Sequence, residues 1–231
     1  MTLQIRRPEK RRRPEPLAPI VKTLEKSFGR VPPPRKRSEA LGELIETVLS
    51  QHTTDRNSSA AWRSLRSRYP DWDDVVRAGP KRVARAIRMG GLPNQKSRAI
   101  ISILRELRQR FGAYTLKPLA ALPTPQATEF LMSLHGVGPK TAAVTLAFGF
   151  GRDVFPVDTH IHRVANRLGV VVTKNPEQTY SALEGRIPRG RSFSFHLHLL
   201  ELGKRLCRPR APRCPECPLL GLCQYGSAQT P

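Results

Sequence analysis

The stretch Leu131–Val164, LMSLHGVGPKTAAVTLAFGFGRDVFPVDTHIHRV, decides how the rest of the chain is read. Two apolar, helix-periodic segments flank the turn Gly136-Val137-Gly138. Glycines there permit positive φ and a close backbone approach to a ligand. Amides at the start of the next helix offer partial positive charge to a phosphate oxygen. Lys140 follows on the first turn, directly after Pro139, whose missing N–H costs nothing at that position. The positive end of a helix disfavours an ammonium group and so favours the neutral amine, the form that attacks carbon. Asp158 lies eighteen residues further on, immediately before another helix. An N-cap role holds it rigidly there without excluding chemistry. An amine and a carboxylate offered together suit covalent chemistry at a sugar carbon, the carboxylate stabilising a developing oxocarbenium ion and helping with proton transfers.

Composition agrees with a phosphate-bearing partner. The 231 residues suffice for one large core or two modest ones. Forty Lys and Arg against eighteen Asp and Glu give a formal charge of +22, and the pI is near 11.2. DNA or RNA is the natural counterpart, since each neutralised phosphate releases counterions. No apolar run approaches the roughly 18 residues that span a bilayer, and the basic N-terminus has no apolar signal core. The expected setting is intracellular and reducing, cytoplasmic or nucleoid, where cysteines serve as metal ligands more often than as disulfides.

Helical periodicity runs through most of the chain. Residues 1–16 carry six Arg or Lys and three Pro, which reads as a disordered basic arm. A helix is predicted at 17–28, then a stiff connector, VPPPRKR, at 31–37. Ser38 and Glu39 open a helix with the apolar stripe Leu41, Leu44, Ile45, Val48 and Leu49. Further helices are predicted at 56–68, 80–88, 94–111, 124–133, 139–149, 159–168, 176–186 and 192–206, and period-2 alternation is lacking. The fold class expected is all-α. Near the C-terminus the spacing Cys207-x6-Cys214-x2-Cys217-x5-Cys223 gathers all four cysteines. Four thiolates suit a [4Fe–4S] cluster or a tetrahedral zinc, and the thiolate chemistry leaves both open.

On these residues the chain resembles the endonuclease III family of helix-hairpin-helix DNA glycosylases. The resemblance covers most of the chain from about residue 17. It rests on the hairpin Leu131–Ala142, the segment Val157–His160 and the cysteine loop. It implies a six-helix barrel domain at 38–152, and a cluster domain built from 17–37 and 153–231 around a [4Fe–4S] cluster, with Zn as the alternative. It implies further that Lys140 attacks C1′ of a damaged deoxynucleotide, expels the base and leaves a Schiff base, after which β-elimination nicks the strand. Asp158 takes the place of the essential carboxylate. The substrate implied is double-stranded DNA with oxidised pyrimidines or abasic sites, bound by a monomer after the nucleotide is flipped out. Leu92 matches the apolar wedge. Gly136, Val137 and Gly138 match the backbone grip, and Arg208, Arg210 and Arg213 present charge to phosphates.

Several positions depart from the pattern. The residue that fills the gap left by the flipped base, commonly Gln, is His52 here, with Gln51 as an alternative occupant. His135 stands where a proline commonly precedes the hairpin. Glu46 occupies the position of the catalytic acid in adenine-mismatch glycosylases, relatives that lack the lysine. Glu46 and His160 are therefore candidate pocket residues. The competing readings are a catalytically weak paralogue that mainly binds damaged DNA and a monofunctional adenine glycosylase.

Overall fold

The computed structural model describes residues 17–33 and 39–229. The basic arm expected at 1–16, the end of the connector at 34–37 and the helix start expected at Ser38 lie outside the described residues. Among the described residues the regular structure is helical and no strand occurs, as the periodicity predicts. The helices are α1 Leu17–Phe28, α2 Ala40–Ser50, α3 Asp55–Arg68, α4 Trp72–Ala86, α5 Pro93–Phe111 and α6 Thr124–Ser133. They continue with α7 Pro139–Val144, α8 Thr159–Leu168, α9 Pro176–Leu183, α10 Ser192–Arg205 and α11 Gln224–Gln229.

Four elements depart from the sequence-based expectation, one of them α11, where no helix is predicted. The segment YPDWDD reads as a break, yet α4 starts inside it. Asp71 supplies an extended N-cap, and Asp73 and Asp74 place negative charge on the first turn, where the helix dipole favours it. The helix then kinks at Gly79, whose φ of 74° precedes Pro80, so only its second half falls in the predicted 80–88. The continuous helix expected at 139–149 changes at Thr145 into a π-helical turn, Thr145–Gly149. The Thr145 hydroxyl donates back to the Thr141 carbonyl at 2.9 Å, a local bond that perturbs the helical ladder. The wider turn brings Gly149 so close to the start of α2 that a Cβ there would lie 2.9 Å from the Ala40 Cα. Finally, α9 stops at Leu183 rather than 186, because Glu184 is extended and Gly185 has a φ of 68°.

Two apolar cores organise these helices. Six helices, α2 to α7, surround the first, in which Leu44, Ile45, Leu65, Ile100 and Leu104 are fully buried. The second collects Leu24 of α1, Ile161 and Leu168 of α8, Phe195 of α10 and Leu219. Each such side chain contributes about 1.5–3 kcal/mol relative to exposure. The second core joins distant parts of the chain. Both carboxylate oxygens of Glu25 in α1 accept from Arg191 Nη1 at 2.7 Å, and the Val31 amide donates to Ser194 Oγ at 3.0 Å. Phe148 packs on Phe193 with ring centroids 4.9 Å apart, bringing the end of the π turn against α10.

Candidate active site

An open cleft of about 840 Å³ is lined by α2 and the start of α7 together with the start of α8 and one face of α10. That size is ample for a nucleotide-sized ligand. Lys140 and Asp158 both line it, with Glu46, Gln51, His52 and His160. With Gly138, seven of the residues singled out from sequence converge on one cavity. Lys140 is exposed on the first turn of α7. Asp158 is half-buried as the N-cap of α8, its Oδ1 accepting from the Ile161 amide at 2.8 Å. The cap consumes one carboxylate oxygen and fixes the direction of the other.

The two hairpin glycines differ. Gly136 has a φ of 80°, in the left-handed region, whereas Gly138 is extended at φ −97° and also lines the cleft. Val137 between them is only 7 % exposed and belongs to the first core. Its amide is taken by the Leu134 carbonyl at 3.1 Å, so its contribution is to anchor the hairpin. Gln51 ties the hairpin to α2, its Nε2 donating to the Gly136 carbonyl at 3.0 Å and to Thr141 Oγ1 at 3.2 Å. His52, one residue on, is exposed with φ at 50°. His135 is exposed beside the hairpin. Leu92 lies outside the cleft lining, 48 % exposed in a left-handed conformation at the N-terminus of α5.

Electrostatics separate the cleft residues. Burial pushes the Glu46 carboxyl above the usual carboxylate range, so it retains a proton more readily than a solvated glutamate. Sequence reasoning missed His196, which is 5 % exposed and also lines the cleft. Its Nδ1 lies 2.9 Å from the Pro156 carbonyl, and since a carbonyl only accepts, that nitrogen carries the hydrogen. Burial depresses the imidazole's affinity for a second proton, more than the Pro156 bond and Asp158 raise it. The helical register of α10 holds the clue, because His196 falls on the buried stripe with Phe193 and Leu199. Lys204 of α10 reaches Asp55 of α3 in an exposed ion pair across the cleft mouth. Arg163 donates to the Cys207 and Gly203 carbonyls at 2.9 Å each and lies 3.1 Å from His160 Nδ1. The start of α8 is thereby tied to the end of α10.

The four cysteines border a second, small cavity away from the cleft. None of the four is paired in a disulfide. Arg167 Nη1 lies 3.4 Å from Cys207 Sγ, and the Gly226 amide 3.3 Å from Cys223 Sγ. Such N–H donors suit sulfurs that carry negative charge. Burial, reinforced by the neighbouring cysteines, raises the Cys217 and Cys223 thiols, so a bound cation is what would favour their thiolates. The donor set fits a metal or cluster, although among the described residues no three metal-ligating side chains converge into a ready-made group. Arg208, Arg210 and Arg213 are exposed on the same loop.

Comparison with known proteins accords with this arrangement. Residues 45–189 match the family described as HhH-GPD superfamily base excision DNA repair protein. The chain is 35 % identical over 196 residues to endonuclease III of Thermotoga maritima, covering 85 % of this chain and 88 % of the relative. A similar match, 31 % identical, is to endonuclease III of Rickettsia conorii, covering 79 % and 82 %. Among solved structures, a non-covalent endonuclease III–DNA complex superposes with a TM-score of 0.78 at 27 % identity, over 92 % of this chain and 96 % of that one. A trapped covalent endonuclease III–DNA intermediate gives 0.76, also at 27 % identity, over 90 % and 94 %. Among the described residues no helix is long and apolar enough to cross a membrane. The chain belongs to the HhH-GPD superfamily of base excision DNA repair proteins, with an endonuclease III-like fold.

Proposed function

We propose that this endonuclease III-like base excision repair DNA glycosylase is bifunctional, removing oxidised pyrimidines from duplex DNA and nicking the strand at the resulting abasic site. The observation that carries the reading is the shared cleft of Lys140 and Asp158 beside the glycine hairpin. Lys140 Nζ attacks C1′ as the glycosidic bond breaks and the base departs. Opening of the sugar ring then gives a Schiff base between Lys140 and C1′, and β-elimination breaks the C3′–O bond. The uncapped oxygen of Asp158 stabilises positive charge at the sugar as it develops. The proposed grip on the backbone comes from Gly136 and Gly138, with Arg208, Arg210 and Arg213 meeting more distant phosphates. His52 fills the space of the flipped nucleotide and Leu92 wedges the stack. Gln51 is occupied as a brace for the hairpin, which supports His52 as the filler.

Residues 38–152 and the combination of 17–37 with 153–231 are proposed as the two domains, in keeping with the two cores. Cys207, Cys214, Cys217 and Cys223 would hold a [4Fe–4S] cluster, with zinc as the other metal their chemistry suits. When bound, the group cross-links the C-terminal loop and carries no step of the reaction. The protein is proposed to act as a monomer in the cytoplasm, on the DNA of the nucleoid.

Borohydride added during incubation with thymine-glycol or abasic-site duplex is expected to trap a covalent complex. No adduct with the wild-type chain, or one that survives Lys140→Ala, would sink the reading. Glu46, half-buried in the same cleft with its carboxyl raised, supports one second reading: adenine release from mismatched duplexes with Glu46 as the acid. Adenine release that survives Lys140→Ala but not Glu46→Gln would favour it. Tight, salt-sensitive binding without turnover on any lesion would instead favour a damaged-DNA binder.

A further inference from the structure

Three non-glycine residues among those described have positive φ, and two of them are His52 and Leu92. Both stand exposed on loops at the edge of the first core. A single buried side chain joins the loops. Lys96, on the first turn of α5, is 2 % exposed. Its Nζ donates to the Leu49 carbonyl at 2.7 Å and to the Gly90 carbonyl at 2.7 Å.

Each acceptor is the end of an element. The Leu49 carbonyl belongs to the last turn of α2, where no helical amide follows to satisfy it. The Gly90 carbonyl closes the short 3-10 turn Arg88–Gly90. A lysine that caps a helix C-terminus is electrostatically favoured. Both bonds survive either protonation state of Lys96, because a neutral amine still carries two N–H groups. The surrounding backbone fits closely as well. A Cβ at Gly90 would lie 3.0 Å from the Ala61 Cβ, and one at Gly91 would lie 3.8 Å from the His52 carbonyl. One amine therefore fixes the end of α2, three residues before His52, against a turn two residues before Leu92.

We infer that Lys96 is a positioning residue that clamps the His52 and Leu92 loops into one rigid wedge, so that both enter the duplex together at a fixed spacing. The inference rests on the proposed roles of His52 and Leu92 as duplex-entering residues. A clamp prepaid at folding spares each loop a separate ordering cost on binding DNA. It also predicts a substrate dependence that a purely structural lysine would not produce. Single-stranded abasic DNA has no partner strand to prise apart, so it makes no use of the wedge.

The test measures single-turnover borohydride trapping on one abasic strand, alone and in duplex, for the full-length wild type, Lys96→Met and Leu92→Ala, with melting curves alongside. Lys96→Met is expected to slow the duplex reaction on the order of 10²-fold, the size of effect a displaced positioning element produces. The single-strand reaction should stay within about twofold, the small change expected where the displaced wedge is not used. Equal losses on both substrates, or no loss on either, overturn the inference. A Leu92→Ala variant with no duplex-selective loss would overturn the duplex-entering reading instead. Should Lys96→Met not fold, or wild type not trap, amide exchange on the free wild-type chain decides. The amides at 52–54 and 94–95 should exchange through one shared opening, and independent openings overturn the clamp.

Discussion

Replacing the two hairpin glycines one at a time separates the structural from the ligand-facing half of the motif. At Gly136 an alanine must hold a φ of 80°, which costs about 1–2 kcal/mol for an L-residue. Its methyl would also meet the Cβ of Ala99 at 3.0 Å, a residue of α5 that is only 4 % exposed. Overpacking of that kind adds about 1–3 kcal/mol. Gly136→Ala should therefore lose roughly 2–5 kcal/mol, and its melting temperature should fall by about 4–20 °C. At Gly138 the backbone is extended and nothing lies within 4 Å of an added Cβ, so Gly138→Ala should melt within about 0.5 kcal/mol of wild type. Its methyl would project into the open side of the hairpin, and duplex binding should weaken without loss of stability. Ala99→Gly combined with Gly136→Ala should recover the contact part, about 1–3 kcal/mol in a double-mutant cycle, and leave the backbone strain in place. Equal melting losses for the two glycines, or a cycle with no coupling, would refute the reasoning.

Other expectations follow from burial and ionisation. Burial, the largest influence on both, depresses His196 and His198 below the ordinary value of 6.5. The unfolded chain then binds more protons between the folded values and 6.5, so stability falls as pH drops through that window. His198 is 4 % exposed, and urea unfolding at pH 7 and pH 5 should show a shallower acid loss in His198→Leu. An unchanged slope would exclude His198 as a source. For Glu46 the sign reverses: its raised carboxyl makes the folded state bind more protons just above the ordinary 4.5, so stability falls as pH rises through that range. Glu46→Gln should remove this dependence and raise the melting temperature at pH 7. Cys217→Ser should lower bound iron and sulfide, or zinc, measured on the purified protein, and make the loop at 207–223 the first site of proteolysis. Full metal content in that variant would contradict the proposed ligand set.

Much of the site was legible because its chemistry sits at punctuation. Lys140 follows a glycine-proline start and Asp158 precedes a helix, and such positions announce themselves in sequence. The helices with long apolar stripes, at 17–28, 94–111 and 159–168, were legible for the same kind of reason, since period 3.6 dominates there. Legibility failed where one residue type serves two ends. Asp71, Asp73 and Asp74 read as a turn but start α4, because acidic residues favour both loops and helix N-termini. The π turn at Thr145–Gly149 sets Gly149 against Ala40 of a different helix, a contact no local pattern encodes. Lys96 and His196 are polar residues on buried stripes, and periodicity marks such positions as core without saying what the polar group is for. Only the partners did: two carbonyls for Lys96, one carbonyl and a cleft for His196.

The joining of α1 to α10 has a consequence for how the chain is made. Glu25 and Arg191 are separated by 166 residues, so α1 leaves the ribosome long before the surface it packs on exists. At about 5–20 residues per second, that interval is roughly 8–30 s. During it, Leu17, Ile20, Val21 and Leu24 have none of their eventual neighbours in α10, whereas α2 to α7 are synthesised consecutively. The order of synthesis thus favours assembly of the first core before the second, with α1 captured last. The earliest helix among the described residues becomes the closing piece of the fold.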